Sequence, residues 1–479
     1  MPEVLKTDIC VIGAGSGGLS VAAGASQMGA PTVLIEKDKM GGDCLNTGCV
    51  PSKALLAAGH AAEAVREAHN FGVHAAAPTF DSAKVYGHVH ATIAAIAPMD
   101  SVERFEGLGV NVIKGAARFT GSNEVEVNGQ RIQARRFVIA TGSQAFVPPI
   151  TGINDVPYLT NETVFEQNEL PEHLIVIGGG PIGIEMAQAH RHLGAKVTVL
   201  EMFSIMPKDD QELVDVVRAQ LTKDGIVVRE GVKVTGVAKG VTKEGAGITV
   251  TIENDGAPER VEGSHLLVAA GRKPNVEGLD LEKAGVAYSP KGIEVDARLR
   301  TSNKKIFAIG DVAGGYQFTH VAGYHAGVVI RNALFQLPAK ADHRAVPWVT
   351  YTAPELAQVG LTEEQARKTE GDDIRVLKWP FAENDRAQAE RTTNGLVKVV
   401  TSKRGHILGA GIVGAHAGEL LQTWVLAVSQ KMKIGAVANI IAPYPTLGEV
   451  NKRAAGSYYT PSLFSERTRK VVRFLRNFG

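Results

Sequence analysis

Residues 7–37, TDICVIGAGSGGLSVAAGASQMGAPTVLIEK, and residues 172–201, EHLIVIGGGPIGIEMAQAHRHLGAKVTVLE, read as two copies of one folding unit. Each starts with an apolar run of strand character, turns through G-x-G-x-x-G, continues as a helix and returns through a second apolar run to a glutamate. The glycines are Gly13, Gly15 and Gly18 in one copy and Gly178, Gly180 and Gly183 in the other. Gly29 and Gly194 end the helices, Glu36 and Glu201 end the second strands, and the intervals between these landmarks are the same in both copies. A single such turn arises for packing reasons alone. Two complete units with matched spacing point to two parallel α/β units, each built to hold a dinucleotide.

The chemistry follows from the turn. Its first two glycines permit a tight bend and close approach of a pyrophosphate, whose charge meets the positive end of the helix. Glu36 is placed to accept hydrogen bonds from an adenosine ribose. Two dinucleotide sites on one chain suggest electron transfer between two carriers, most simply a flavin and a nicotinamide. Glu201 would repel the 2'-phosphate of NADP, and the following MFSIMP supplies no arginine to hold one, so NAD is favoured. Lys208 is the nearest basic residue after it.

Three further strand-to-glycine segments lie between and beyond the units: RFVIATGS ending at Ser143, HLLVAAGRKPN ending at Asn275 and KKIFAIGDV ending at Val312. In the last, Asp311 directly follows a glycine at a strand end, where it can hydrogen-bond a polyol such as a ribityl chain.

At 479 residues the chain exceeds one comfortable core, so two to four domains are expected. A net charge of +1 creates no overall field that would recruit nucleic acid or a membrane. The uncharged run from Ile9 to Ile35 is long enough to raise the question of a membrane span, but six glycines, a proline and its strand-like ends argue against one. The start, MPEVLKTDIC, lacks the basic and apolar regions of a secretion signal, which leads to a cytoplasmic expectation. A stable structural disulfide is unusual there.

Cys44 and Cys49, two of only three cysteines, nevertheless stand close together in GGDCLNTGCVPSK. A metal site, a crosslink and a redox pair compete. Structural zinc needs four ligands, and Cys10, inside the first strand, reads as a core residue, so no metal is expected. A disulfide needs Cα atoms about 4.4 to 6.8 Å apart, whereas an ideal helix separates such positions by roughly 8.7 Å. A bridge thus demands a distorted turn, which Asn46 and Gly48 tolerate. Pro51 suits the early part of the helix that follows. A helix N-terminus and Lys53 would both favour a thiolate, the conditions for a labile pair.

From about residue 7 to 456 these motifs resemble the FAD-dependent pyridine nucleotide-disulfide oxidoreductases, the group of dihydrolipoamide dehydrogenase, glutathione reductase and mercuric reductase. The resemblance implies two Rossmann-like dinucleotide-binding domains, for FAD and NAD, and a C-terminal α/β dimerisation domain. Residues 1–150 and 276–345 would form the FAD domain, 151–275 the NAD(P) domain and 346–479 the interface of a homodimer with a shared active site. Cys44 would be the interchange thiol that meets a disulfide substrate, and Cys49 the thiol against the flavin. Gly13, Gly15, Gly18, Glu36, Lys53, Thr141, Gly142, Ser143 and Asp311 match FAD-contacting positions, with backbone near Ala117 and His320. Gly178, Gly180, Gly183, Glu201, Val234 and Gly271 match nicotinamide-nucleotide positions, and Glu185 resembles the acid that pairs with Lys53. The implied activity passes electrons from nicotinamide through flavin to the Cys44–Cys49 disulfide, as in dihydrolipoamide dehydrogenase. A mercuric-reductase-like metal-ion reductase and a slow redox sensor holding FAD and NAD are the alternatives.

The pattern breaks in APYPTLGEV, where Tyr444 replaces the histidine of an H-P-T-x-x-E motif and Glu449 is retained. Histidine titrates near neutrality, while tyrosine has a pKa near about 10 and is a poor base. Tyrosine here resembles mercuric reductases, yet with RFLRNFG as the last residues given, neither their C-terminal cysteine pair nor their N-terminal metal-binding module is expected.

Two features remain. The segment SERTRKVVRFLRNFG has five basic residues, with Val471, Leu475 and Phe478 at helical spacing. A basic amphipathic helix can lie on anionic lipid, but the expectation is that it packs on its own domain, without membrane association. His60, on the helix after the cysteines, reads as a packed residue.

Overall fold

The computed structural model describes residues 4–242, 245–254 and 256–478. It divides into two compact units, one of Met1–Met202 with Gly231–Asp342, the other of Phe203–Glu230 with His343–Gly479.

The uncharged run from Ile9 to Ile35 falls within strand β1 (Leu5–Ile12), helix α1 (Ser16–Gln27) and strand β2 (Thr32–Glu36). Strands β1 and β2 pair in parallel, Ile9 opposite Thr32 and Ile12 opposite Ile35. Strand Gln130–Ile139 lies in parallel on the other side of β1, and the whole forms a seven-stranded sheet. Successive residues of β1 feed different cores. Cys10 and Ile12 pack with Val33, Phe137 and Ile139, whereas Ile9 and Val11 pack with Leu19, Leu34 and Val138. Burial on both faces is why the strand reads as continuously apolar rather than alternating. Cys10 is fully buried there, as the sequence implied.

The second copy repeats the design within the same unit. Strand His173–Ile177 runs parallel to Lys196–Leu200 on one side and His265–Val268 on the other, with helix Pro181–His192 between the first two in sequence. Three antiparallel strands, Lys233–Thr242, Gly245–Asn254 and Ala257–Gly263, follow as a separate sheet.

The other unit is built on a five-stranded antiparallel sheet in the order Pro347–Thr350, Glu355–Gly360, Ile407–Gly414, Leu396–Ser402, Ile374–Pro380. Trp424, Val450 and Ala454 from its helices, with Leu421 between two of them, bury against Val397, Val399, Ala410 and Ile412 of the sheet. Helix Gln211–Lys223 also belongs to this unit. Lys398, 5% exposed, fixes its start, with Nζ 2.9 Å from both Asp210 and Glu212 and 2.8 Å from Glu363.

The C-terminal segment departs from the sequence expectation. Helix Glu466–Leu475 buries none of its residues, so among the described residues its apolar face is not covered by its own domain. Helical spacing identified an apolar face but carries no information about a surface to cover it. Among the described residues no helix is long and apolar enough to cross a membrane.

Candidate active site

Each glycine of the two turns has its own mechanical reason, and the reasons repeat. Gly13 and Gly178 sit at φ +103° and +113°, where a side chain would also strike the carbonyl oxygens of Ala140 and Ala269. At Gly18 and Gly183 a Cβ would run into the carbonyl oxygens of Gly13 and Gly178, so these positions let helix and strand close together. Gly15 and Gly180 differ: a Cβ at Gly15 comes no nearer than 4.0 Å to another residue, and one at Gly180 meets nothing within 4 Å. Packing does not require glycine there, but close approach of a ligand along the backbone does. The donor set therefore fits a pyrophosphate at both turns.

The two acids behave alike. Glu36, 8% exposed, accepts from the backbone N–H of Ala14 at 2.6 Å and of Asp38 at 2.7 Å. Glu201 accepts from Gly179 N–H, also at 2.6 Å.

The cysteines straddle a break between two helices. Cys44 lies in α2 (Gly42–Asn46) and Cys49 is the first residue of α3 (Cys49–Glu67), so the demand for a distorted turn is met at Thr47–Gly48. Gly48 is needed because a side chain would come within 2.8 Å of the Asp43 carboxylate. Asn46 Nδ2 secures the turn by donating to the carbonyls of Met40 and Gly42 at 3.0 and 2.8 Å.

The environment makes the two thiols unlike. Hydrogen bonding from Cys44, then from Thr319 at 3.3 Å, and the charge of Lys53 outweigh burial and bring Cys49 down to about 6. Cys44 is pushed up by its hydrogen bond to the Cys49 sulfur, by burial and by that sulfur's charge. In the reduced pair these influences favour the thiolate at Cys49 and the protonated thiol at Cys44. Lys53 Nζ donates to Glu185 Oε2 at 2.7 Å, and Glu185, 4% exposed, sits in the helix after the second glycine turn. That contact joins α3 to the second nucleotide unit.

A second network surrounds Arg272. Its Nε donates to Ser143 Oγ at 2.8 Å, its Nη2 lies 3.2 Å from Asp43 Oδ1, and Ser143 Oγ donates to Asp311 Oδ2 at 2.5 Å. Burial raises the Asp311 carboxyl above its ordinary pKa, against the pull of Ser143 and Arg272. Antiparallel pairing of Arg272–Pro274 with Ser143–Ala145 sets this geometry. Thr141 Oγ1 donates to the Asn275 carbonyl at 2.7 Å, and Asn275 N–H donates to the Gly142 carbonyl at 2.9 Å. The structure thus brings together Thr141, Gly142, Ser143 and Asp311 with Arg272 and Asp43, two residues the sequence reading quoted without assigning a role. Thr319, 270 positions from Cys49, carried no local signal at all.

The remaining candidates are spread more widely. Ala117 is buried, His320 stacks on Phe318 with ring centroids 5.2 Å apart, Val234 lies on Lys233–Thr242, and Gly271 directly precedes Arg272. His60 is on α3 with its ring 6.3 Å from that of His192, and burial lowers its pKa. In the other unit, Tyr444 is 70% exposed and donates to Asp385 Oδ2 at 2.9 Å, while Glu449 starts helix Glu449–Ser457.

Paired nucleotide units with a cysteine couple poised at a helix start define an enzyme of the flavin-dependent disulfide oxidoreductase class. The chain belongs to the pyridine nucleotide-disulphide oxidoreductases, whose family pattern matches residues 7–326, with the family's dimerisation domain matching residues 346–455. It is 36% identical over 452 residues to a mercuric reductase of Staphylococcus aureus, covering 94% of this chain and 82% of that protein. It is 37% identical over 460 residues to a dihydrolipoyl dehydrogenase of Geobacillus stearothermophilus, covering 94% and 96%. Among solved structures it resembles LpdA of Mycobacterium tuberculosis, with a TM-score of 0.86, 26% identity and coverage of 95% and 99%. The Cu(II) complex of the HOCl-induced flavoprotein disulfide reductase RclA of Escherichia coli gives 0.84, 27%, 94% and 99%.

Proposed function

We propose that this enzyme oxidises NADH and passes the electrons to the Cys44–Cys49 disulfide, and from the resulting dithiol to a disulfide substrate, as a dihydrolipoamide-dehydrogenase-like oxidoreductase that also runs in reverse. The observation that carries the reading is the cysteine pair set across the Thr47–Gly48 break, with Thr319 Oγ1 3.3 Å from the Cys49 sulfur and Lys53, on the same helix as Cys49, held by Glu185. These surroundings lower the pKa of the Cys49 thiol and raise that of Cys44. In this reading residues 1–150 and 276–345 hold FAD, 151–275 hold the nicotinamide nucleotide and 346–479 form the subunit interface.

The glycines of the first turn, with Glu36, Thr141, Gly142, Ser143 and Asp311, would hold FAD, aided by backbone near Ala117 and His320. Gly178, Gly180, Gly183, Glu201, Val234 and Gly271 would hold NAD(H), with Glu201 disfavouring a 2'-phosphate. Bound FAD supplies two-electron exchange between a nicotinamide and a sulfur pair. The chain's own residues do the rest. Lys53, oriented by Glu185, and Thr319 hold the Cys49 thiolate. Cys44, once deprotonated, attacks one sulfur of the substrate disulfide, forming a mixed disulfide and releasing one thiolate. Cys49 thiolate then attacks Cys44, restoring the internal disulfide and releasing the second thiolate.

A second reading, reduction of a thiophilic metal ion, is favoured by Tyr444. Its phenol is engaged by Asp385, which raises its pKa, so it serves poorly as a base for a departing thiol. A metal ion held by the two sulfurs accepts electrons without proton delivery at that position. The deciding experiment is a steady-state screen of lipoamide, glutathione disulfide, Hg(II), Cu(II) and quinones with NADH and NADPH. NADH-driven reduction of lipoamide supports the first reading, turnover of the metal ions alone supports the second, and sluggish flavin reduction with every acceptor defeats both in favour of a redox sensor.

A further inference from the structure

Helix Glu466–Leu475 has two faces of different chemistry. Val471, Phe474, Leu475 and Phe478 follow i, i+3, i+4, i+7 spacing and share one side. They are 49%, 61%, 57% and 75% exposed. Phe474 and Phe478 pack edge-to-face with centroids 5.1 Å apart, so the strip is continuous. Leu463 and Phe464, just before the helix, are 57% and 68% exposed and extend the apolar surface.

Arg469, Arg473 and Arg476 follow i, i+4, i+7 spacing on the opposite side. Glu466, the one acid of the helix, lies among them, 3.3 Å from Arg469 and 3.6 Å from Arg473. Arg467 and Lys470 bring the segment to five basic residues against one acid.

We propose that this helix docks the enzyme on an anionic lipid surface, lying in the interface with its phenylalanines and leucine among the acyl chains. A surface that covers the strip must accept both apolar area and surplus positive charge. A second copy of the same helix supplies the apolar area but brings five more basic residues against one more acid, so like charge accumulates. An anionic bilayer supplies both, and long basic side chains reach its headgroups while their stems lie along the apolar boundary. This is peripheral attachment and needs no spanning helix.

The test is sedimentation of the full-length holoenzyme with vesicles of phosphatidylcholine alone or mixed with phosphatidylglycerol, at low and high salt. The enzyme is expected to pellet with the anionic vesicles, to remain in solution with the neutral ones, and to be released at high salt, where the screening length falls to ~3 Å. Leu475→Asp with Phe478→Asp, and separately Arg469→Glu with Arg473→Glu, are expected to lower the bound fraction by about tenfold. Subunit mass by light scattering and NADH oxidation should not change, since these side chains are exposed. Failure of the wild type to pellet, equal binding by the variants, or a change in subunit mass in the variants would each overturn the proposal, the last by showing that another copy covers the strip.

Discussion

Arg272 Nη2 stands 3.2 Å from Asp43 Oδ1, linking a strand-end glycine segment to the residue that immediately precedes Cys44. Asp43 also accepts from Thr47 Oγ1 at 2.9 Å and from Asn161 Nδ2 at 3.0 Å. One carboxylate thereby fixes the redox turn from three directions. Its charge also opposes ionisation of Cys49, as burial does more strongly, against the favourable influences of Cys44, Thr319 and Lys53. Asp43→Asn is therefore expected to move the Cys49 titration to lower pH. Arg272→Lys keeps the charge but loses the planar fork, so the turn loosens even though the positive charge remains. Alkylation of the reduced holoenzyme with iodoacetamide as a function of pH reads both effects, and an upward shift in Asp43→Asn would contradict the assignment.

The same alkylation reports the pair itself. Thiolate, not thiol, is the nucleophile, so reactivity should rise as pH increases through an apparent midpoint of about 6. The midpoint belongs to the coupled pair rather than to one sulfur. Between pH 5 and pH 7 the rate should grow roughly tenfold. Cys49→Ser should abolish the low-pH phase, and its persistence would assign the acidic thiol to Cys44.

Glu185→Gln tests the lysine contact. It removes the carboxylate charge at 2.7 Å while keeping the shape. Losing a charged hydrogen bond of this kind costs about 1.5–3 kcal/mol, which corresponds to at least a tenfold slower reduction of the flavin by NADH in stopped-flow mixing. A rate within twofold of wild type would mean that Lys53 is held by something else.

Tyr444→His should restore a proton carrier of near-neutral pKa. If the residue acts beside Cys44 in the assembled enzyme, disulfide turnover should rise by about a hundredfold, the low end of what acid–base assistance contributes. The gain should follow a pH profile with a midpoint near that of histidine. Unchanged turnover counts against that placement.

Lys398→Met probes stability away from the chemistry. Removing the cation leaves Asp210, Glu212 and Glu363 facing one another; Asp210 is buried with Lys398, and breaking that buried pair costs about 3–5 kcal/mol. The hydrogen bond from Lys398 is the main cause holding the Glu363 carboxyl below its ordinary range. That contribution is full above the ordinary carboxylate pKa and disappears as pH falls through the depressed one. Thermal melts should therefore show the largest loss for the variant at neutral pH and a smaller one in acid.

Sequence alone fixed the features that depend on local backbone. Glycine at Gly13 and Gly178 answers a left-handed turn, and the recurrence of that turn with the same spacing sets two nucleotide units wherever the chain goes next. Gly48 and the cysteines on either side of it were legible for the same reason, as was the replacement of a titrating histidine by Tyr444. Tertiary structure decided the partners. Thr319 reaches Cys49 across 270 positions, Arg272 reaches Asp43 by way of strand pairing, and helix Gln211–Lys223 joins the unit of Lys398 rather than that of the glycine turn preceding it. The helix of Val471 and Leu475 is the sharpest instance. Periodicity states that a face is apolar, because it reflects the geometry of one helix, but what covers that face depends on surfaces assembled from distant segments, and among the described residues none was found.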